Sequence, residues 1–161
     1  MVFRIFISLS SSLNSNIFNK IIISSDSSEI LNVCSAFSKR VTCLKRPDGI
    51  SDDITMPDSA VTHAIKEAER MLGFMPAFTT FLQPTSPLRT GDDIDKALDI
   101  LFKNHEINSV ISVIKTDDMH PARMYRFDIK NNVINPLMEE FSETRRQELE
   151  PAYYRNGAIY A

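Results

Sequence analysis

The feature that most constrains the fold is a repeated order in which an apolar, strand-like run precedes an amphipathic helix. The strand-like runs are residues 20–24, 41–44 and 76–82. A helix-start signal with an acidic residue three positions after the cap follows each run, and the signals are Asp26-x-x-Glu29, Thr55-x-x-Asp58 and Thr90-x-x-Asp93. Apolar runs that alternate with such helices are typical of a parallel sheet covered on both faces. We therefore predict an α/β domain with a mostly parallel sheet.

The pattern changes after a fourth apolar run, residues 108–114. Residues 124–134 predict a hairpin whose turn is at residues 130–132. The charged stretch 139–150 predicts a helix or an arm, and residues 156–161 predict one more strand. The region before the first strand has the pattern of a frayed helix. A chain of 161 residues is expected to form one domain.

Composition excludes several classes of partner. The formal net charge of −3 argues against a nucleic-acid groove or an anionic membrane surface and favours a small substrate. The two cysteines, Cys34 and Cys43, have neither metal-site spacing nor the density of a disulfide scaffold, so we interpret both as buried thiols. The apolar runs are shorter than the ~18 residues of a membrane span, and the N-terminal residues lack a signal-peptide cleavage site. We expect a cytoplasmic protein.

Residues 82–89 replace an apolar run with polar groups. Two prolines in this segment restrict the backbone, so Gln83, Thr85, Ser86 and Arg89 are predicted on a stiff loop at the carboxyl end of a strand. In open α/β sheets, ligands bind at that end of the strands. The alternative is a rigid connection whose hydroxyls only cap the next helix.

Two other groups of residues carry candidate binding chemistry. Arg46 followed by Ser51-Asp52-Asp53 suits phosphate contact and a divalent cation, although an acidic loop is also common as a solvated turn. Arg123, Arg146 and the tyrosines near the C-terminus suit an acidic, hydroxyl-rich substrate. The alternative for Arg146 and its neighbour Arg145 is that they balance the charge of nearby surface glutamates.

Common catalytic motifs are absent from the sequence, namely GxxxxGK[ST], GxGxxG, HExxH and GxSxG. Several segments taken in order instead resemble the acylneuraminate cytidylyltransferase family, the CMP-sialic acid synthetases and related CMP-nonulosonic acid synthetases. The matching segments are residues 21–30, 46–47, 51–52, 63–65, 82–89, 93–94, 109–113, 120–121, 146–147 and 156–160. The resemblance runs from about residue 17 to the end of the chain.

This resemblance implies a Rossmann-like, three-layer nucleotidyltransferase with a small hairpin-and-arm insertion for dimerisation. The implied boundaries are a nucleotide-binding core at residues 17–119, the insertion at 120–155 and a return strand at 156–161. The implied reaction joins CTP to a nine-carbon α-keto sugar acid such as N-acetylneuraminate and releases pyrophosphate, with Mg²⁺ as cofactor. The implied assembly is a homodimer.

The resemblance also implies roles for individual residues. The residues expected to bind the nucleotide are Arg46, Ser51, Asp52, Thr85 and Ser86. Thr85 and Ser86 are also expected to support the loop that carries Gln83. Gln83 and Arg89 are the implied catalytic residues, and Gln83 would lie at the junction of nucleotide and sugar. Implied contacts with the sugar acid come from Gln83, Arg123, Arg146 and Tyr160.

Two family features have no counterpart in this sequence. A basic, Gly-containing triphosphate loop is expected before Ile17, and an Asp-x-Asp metal pair is expected beyond Ala161. We therefore expect the 161 residues alone to bind CTP weakly and to turn over little or nothing. The competing hypothesis is a non-catalytic module that keeps the sheet and the arm as a scaffold.

Overall fold

The computed structural model describes residues 2–52, 54, 56–116, 118–141 and 145–161. These residues form a mixed α/β structure with small two-stranded sheets, which confirms the α/β class but not the mostly parallel sheet. The helices are α1 (Val2–Asn14), α2 (Ser28–Ser35), α3 (Pro57–Leu72) and α4 (Gly91–Lys103). The strands are β1 (Ile21–Ser25), β2 (Val41–Lys45), β3 (Ile111–Thr116), β4 (Tyr125–Asp128), β5 (Val133–Pro136) and β6 (Ala152–Tyr160).

The first predicted unit is confirmed. β1 and β2 pair in parallel, with Ile21 opposite Val41 and Ser25 opposite Lys45, and α2 connects them. The N-cap of α2 is Ser27 and not the predicted Asp26, because the Ser27 side chain is the one that accepts a hydrogen bond from the helix backbone, at Ile30. Both strands therefore end at the same edge of the sheet, next to the N-terminus of α2.

The predicted strand at residues 76–82 is wrong. In this segment a single antiparallel bridge joins Phe81 to Tyr160, through backbone hydrogen bonds of 2.7 and 3.1 Å. The β-branched and aromatic residues give strand propensity, but propensity describes the fit to a half-buried surface and does not supply a pairing partner. Pro76 also has no backbone donor, and Phe78 is 55% exposed.

The remaining strands differ from prediction in their bounds. β3 begins and ends later than the predicted run 108–114, and β6 begins before residue 156. The predicted hairpin is confirmed as β4 and β5, paired antiparallel. The described strands form three two-stranded sheets, β1 with β2, β3 with β6, and β4 with β5.

Helix starts follow the sequence in one case and depart from it in another. At α4 the predicted capping box is confirmed, because Thr90 and Asp93 each accept a hydrogen bond from the other residue's backbone. At α3 the N-cap is Met56, which makes no side-chain cap hydrogen bond. Thr55, the predicted cap, lies outside the described residues. Pro57 at the first helical position supplies the fixed φ that starts this helix.

Two buried clusters hold α1 and α4 in place. One contains Leu9, Ile21, Ile30 and Cys34, and the other contains Ile94, Leu98, Leu101 and Ile159. Phe18 packs against both clusters.

The C-terminal end of α1 is fixed by side chains from other elements. The Arg40 guanidinium donates to three backbone carbonyls at this end, Leu13 at 3.0 Å, Ser15 at 3.1 Å and Phe18 at 2.6 Å. Gly91 lets the start of α4 approach, because a Cβ there would lie 2.8 Å from the backbone of Asn14. The C-terminal end of the helix that the sequence indicated as frayed is therefore held by specific contacts.

The chain divides into two compact units. The first contains residues 1–112 and 157–161, and the second contains residues 113–156. Gln83, Arg89 and Tyr160 belong to the first unit, whereas Arg123 and Arg146 belong to the second.

Candidate active site

The polar loop at residues 83–89 is held in shape by Arg89. This side chain is only 6% exposed, and its Nη1 donates to the carbonyl of Gln83 at 3.1 Å and to that of Ala158 at 2.6 Å. The Arg89 backbone N–H also donates to the carbonyl of Ser86, at 3.3 Å. Arg89 therefore ties both ends of the loop together and attaches the loop to β6.

The rest of the Arg89 guanidinium is buried without protein partners. Among the described residues, neither Nε nor Nη2 has a hydrogen-bond partner. Burial lowers the pKa of Arg89 from its ordinary value, although an arginine keeps its charge in proteins. Arg89 is thus a desolvated cation that binds backbone.

The Gln83 side chain lies against β6 at Gly157. A Cβ added at Gly157 would lie 2.6 Å from Gln83 Oε1 and 4.0 Å from the Tyr160 hydroxyl. Thr85 Oγ1 donates to the same Gln83 oxygen at 3.5 Å, and Ser8 Oγ donates to the Gln83 carbonyl at 3.5 Å. The fold therefore brings Gln83 and Tyr160, which are far apart in the chain, to one place.

Tyr160 reaches this place through its bridge to Phe81. The two rings stack with centroids 6.0 Å apart and an interplanar angle of 27°. Because Phe81 is two residues before Gln83, the bridge sets the distance between the loop and the end of β6. Ile159, the neighbour of Tyr160 on β6, is buried in the cluster with Ile94, Leu98 and Leu101.

A second polar group lies at the carboxyl edge of β1 and β2. Arg46 Nη2 forms an ion pair with Asp26 Oδ1 at 3.4 Å, and Lys45 Nζ donates to the Asp26 carbonyl. Arg46 Nε and Ser24 Oγ are buried atoms with no hydrogen-bond partner among the described residues. This edge therefore offers a cation, a hydroxyl and a helix N-terminus to an anion or a polar ring.

Ser51 and Asp52 make the contacts of a turn. Ser51 Oγ donates to the Pro47 carbonyl at 2.7 Å, and the Asp52 carboxylate accepts from the Ile54 backbone at 3.2 Å. Asp53, the other acidic residue of this sequence, lies outside the described residues.

The second unit carries the two predicted arginines of the sugar side. Arg123 is exposed and ends a short 3-10 helix, Pro121–Arg123. His120 caps this helix, because its Nδ1 accepts from the backbone of Ala122 at 3.1 Å while Nε2 lies 2.9 Å from the Glu150 carbonyl. This arrangement requires the proton on Nε2. Arg146 begins another 3-10 helix, Arg146–Glu148.

Comparison of the sequence with models of known protein families shows which family the chain belongs to. A family model described as Cytidylyltransferase matches residues 5–160. The chain belongs to the cytidylyltransferase family. The match extends nearly to both ends of the sequence and includes every predicted site residue.

The curated proteins that the chain resembles are cytidylyltransferases and synthases of related sugar acids. The chain is 27% identical over 153 residues to the pseudaminic acid cytidylyltransferase of Campylobacter jejuni serotype O:2, covering 95% of this chain and 64% of that protein. It is 27% identical over 158 residues to the N-acylneuraminate cytidylyltransferase of Streptococcus agalactiae serotype III, covering 97% and 36%. It is 29% identical over 153 residues to the CMP-N,N'-diacetyllegionaminic acid synthase of Legionella pneumophila, covering 92% and 61%.

These relatives confirm the resemblance to the CMP-nonulosonic acid synthetases. The chain spans 64%, 36% and 61% of the lengths of these three relatives, which is less than two thirds of each.

A metal site built from protein side chains alone is absent from the described residues. They contain no group of three or more His, Cys, Asp or Glu side chains that could hold a metal ion.

No helix among the described residues is long and apolar enough to cross a membrane.

Sequence reasoning missed three residues of this cytidylyltransferase chain that shape the site. Gly157, Ser8 and Asp26 contact Gln83 or Arg46. A glycine within a strand pattern indicates a close approach of another group, so Gly157 carried a signal. The contacts of Ser8 and Asp26 are visible only once the chain is folded.

Proposed function

We propose that this chain is the part of a CMP-nonulosonic acid synthetase in which nucleotide and sugar acid meet. The enzyme transfers CMP from CTP to the anomeric hydroxyl of N-acetylneuraminate or a related nonulosonic acid and releases pyrophosphate. The observation that carries the proposal is the convergence of Gln83, Gly157 and Tyr160 on one side of β6, in a chain that matches the family over residues 5–160.

Arg46 is proposed to bind the nucleotide. Its side chain is partly buried, its Nε has no hydrogen-bond partner within the described part of the chain, and Asp26 holds the other end of the guanidinium at 3.4 Å. Ligands of open α/β sheets bind beyond the carboxyl ends of the strands, which supports this edge. Ser51 and Asp52 are proposed to line the same side through their loop.

Gln83 is proposed to donate from its amide to oxygens at the reacting centre. Thr85, Ser86 and Arg89 support it by fixing the loop backbone. A fixed donor near an oxygen that gains charge stabilises the transition state without reorganisation. Arg89 acts in this proposal through the carbonyls of Gln83 and Ala158, so its part in catalysis is indirect.

Arg123, Arg146 and Tyr160 are proposed to bind the sugar acid. Guanidinium groups pair with carboxylates, and a phenol can meet a sugar hydroxyl. Arg123 is exposed, and the Tyr160 hydroxyl and Gln83 Oε1 both lie within 4.0 Å of the Cβ position of Gly157, which supports a shared place for a ligand. The names of the relatives cover three different sugar acids, so the proposal extends to the class and not to one member.

The finer features of the fold belong to the same proposal. These are a Rossmann-like, three-layer core at residues 17–119, a dimerisation insertion at 120–155 and a return strand at 156–161. Exposed apolar side chains on the hairpin support a homodimer interface, since Tyr125, Phe127 and Ile134 are 59%, 58% and 61% exposed.

Mg²⁺ is proposed as the cofactor of the whole enzyme. No step is assigned to it, because the described residues contain no group of three or more side chains that could hold a metal ion.

Calorimetry with a nucleotide panel tests the proposal. We expect heat with CTP and little with UTP, ATP or GTP, and we expect Arg46→Met to weaken CTP binding about tenfold or more, the equivalent of one charge-assisted hydrogen bond. Arg70→Met is the matched control, because Arg70 is an exposed cation paired with Glu67 on α3.

Binding of UTP without CTP would contradict the assignment. No heat with either CTP or a nonulosonic acid would instead favour the scaffold hypothesis, which the comparisons do not support. Equal effects of the two arginine substitutions would remove Arg46 from the nucleotide side.

A further inference from the structure

Gly157 occupies a backbone conformation that side chains rarely adopt. Its φ is +75°, in the left-handed region, and the residue is buried within β6. A Cβ at this position would lie 2.6 Å from Gln83 Oε1, which is closer than a carbon and an oxygen can approach without movement. The glycine therefore makes room for one end of one side chain.

The backbone of Gln83 is not free to move away from Gly157. Its carbonyl accepts hydrogen bonds from the buried Arg89 guanidinium and from Ser8. Arg89 also binds Ala158, the neighbour of Gly157, so the loop and the strand are fixed to each other. A larger residue at 157 would consequently displace the flexible Gln83 amide and leave the loop backbone in place.

The orientation of this amide decides which atoms a ligand meets. Gln83 Oε1 faces Gly157 and accepts from Thr85, so Nε2 is the end left to donate. A donating amide suits the phosphate and hydroxyl oxygens of the proposed substrates. We infer that Gly157 is a positioning residue that fixes the orientation of the Gln83 side-chain amide, a conclusion whose catalytic part rests on the proposed function.

The chain provides a matched control for the strain of a positive φ. Gly73, at the C-terminal cap of α3, has a φ of +76°, and a Cβ there would meet nothing within 4 Å. Gly73→Ala therefore introduces an alanine at a similar φ without the contact. It measures what an alanine at positive φ does to the chain where no neighbouring side chain is met.

The first measurement is the side-chain NH₂ resonance of Gln83 in ¹H–¹⁵N spectra, assigned by its loss in Gln83→Ala. We expect Gly157→Ala to shift this signal and Gly73→Ala to leave it unchanged. An unmoved signal in Gly157→Ala, or an equal shift in both variants, overturns the inference. This readout needs neither substrate nor turnover, so it stands apart from the proposed function.

The second measurement is single-turnover pyrophosphate release from CTP and a nonulosonic acid. We expect Gly157→Ala to slow the reaction about 10²-fold, as a displacement near 1 Å does, with a much smaller change in CTP affinity. The double variant Gln83→Ala/Gly157→Ala should be no slower than Gln83→Ala. The inference is overturned if the double variant is slower than Gln83→Ala by more than the effect of Gly73→Ala. A failure of the proposed function has a different signature, because the unchanged chain is then inactive and binds no CTP.

Discussion

Replacement of Arg89 by alanine tests the contact that holds the candidate site together. The substitution removes both Nη1 hydrogen bonds, to Gln83 at 3.1 Å and to Ala158 at 2.6 Å. It also removes a buried aliphatic stem and the two guanidinium nitrogens that lack partners. The net change in the free energy of unfolding depends on which of these effects is larger.

The magnitudes predict a moderate loss of stability. Two charge-assisted hydrogen bonds contribute about 4 kcal/mol, and burial of the two methylene groups that alanine lacks, Cγ and Cδ, contributes about 1.6 kcal/mol. Relief of the two unpartnered donors offsets roughly 4 kcal/mol. Arg89→Ala should therefore lower the free energy of unfolding by about 2 kcal/mol, whereas Arg89→Met, which keeps an aliphatic stem, should stay within about 1 kcal/mol of the unchanged chain.

Urea unfolding followed by circular dichroism measures both variants. With a denaturant slope of about 2 kcal/mol per molar, Arg89→Ala should lower the midpoint by about 1 M. The control is Arg126→Ala, an exposed arginine of β4, for which a change of less than about 0.5 kcal/mol is expected. Equal stabilities for Arg89→Ala and Arg126→Ala, or equal losses for the alanine and methionine variants at position 89, would refute the reasoning.

Three further predictions follow from local contacts. Thr90→Ala should lower the free energy of unfolding by about 1 kcal/mol. The backbone and hydroxyl of Thr90 lower the pKa of Asp93, so the stability gained from that carboxylate is present above its unfolded pKa and is lost as pH falls through the lower folded value. The urea midpoints of Thr90→Ala and of the unchanged chain should therefore converge in acid. Gly91→Ala should destabilise the chain by about 1–3 kcal/mol through its clash with the end of α1, unlike Gly49→Ala, whose Cβ meets nothing within 4 Å. Burial, and to a smaller extent the neighbouring thiol of Cys43, raises the pKa of Cys34. Cys34 should therefore react with thiol reagents at neutral pH only after the chain unfolds. Rapid labelling of Cys34 in the native chain would contradict its burial.

Elements specified by neighbouring residues were predictable from the sequence. The capping box at Thr90 and Asp93 was correct because both partners lie within one helical turn. The β1–α2–β2 unit was correct because its apolar runs and its connecting helix are contiguous in sequence. The hairpin turn was correct for the same reason, since Asp128 binds the backbone of Lys130 and Asn131 within the turn.

Elements that depend on distant partners were not predictable. Residues 76–82 have the composition of a strand, but only Phe81 meets a partner, and that partner is Tyr160. The pattern of apolar residues does not reveal which edges are available for pairing. The start of α3 was also misplaced, because Pro57 fixes the first turn without a polar cap.

The candidate site shows the same division. Gln83 and its loop could be selected from local chemistry, because the prolines and polar residues are adjacent. The role of Arg89 in joining Gln83 to Ala158, and the fit of Gln83 against Gly157, required the folded chain. Arg123 and Arg146 belong to the second unit, so their part in the site stays a prediction.

The decisive test of the proposed transfer of CMP from CTP to a nonulosonic acid is pyrophosphate release in the presence of both substrates. It should be measured with the chain in excess over CTP, because turnover is expected to be low, and with Gln83→Ala and Arg126→Ala in parallel. The proposed function predicts release at a low level that requires both substrates, falls about 10²-fold in Gln83→Ala and is unchanged in Arg126→Ala. Release that requires only one substrate, or that is the same in Gln83→Ala as in the unchanged chain, would contradict it.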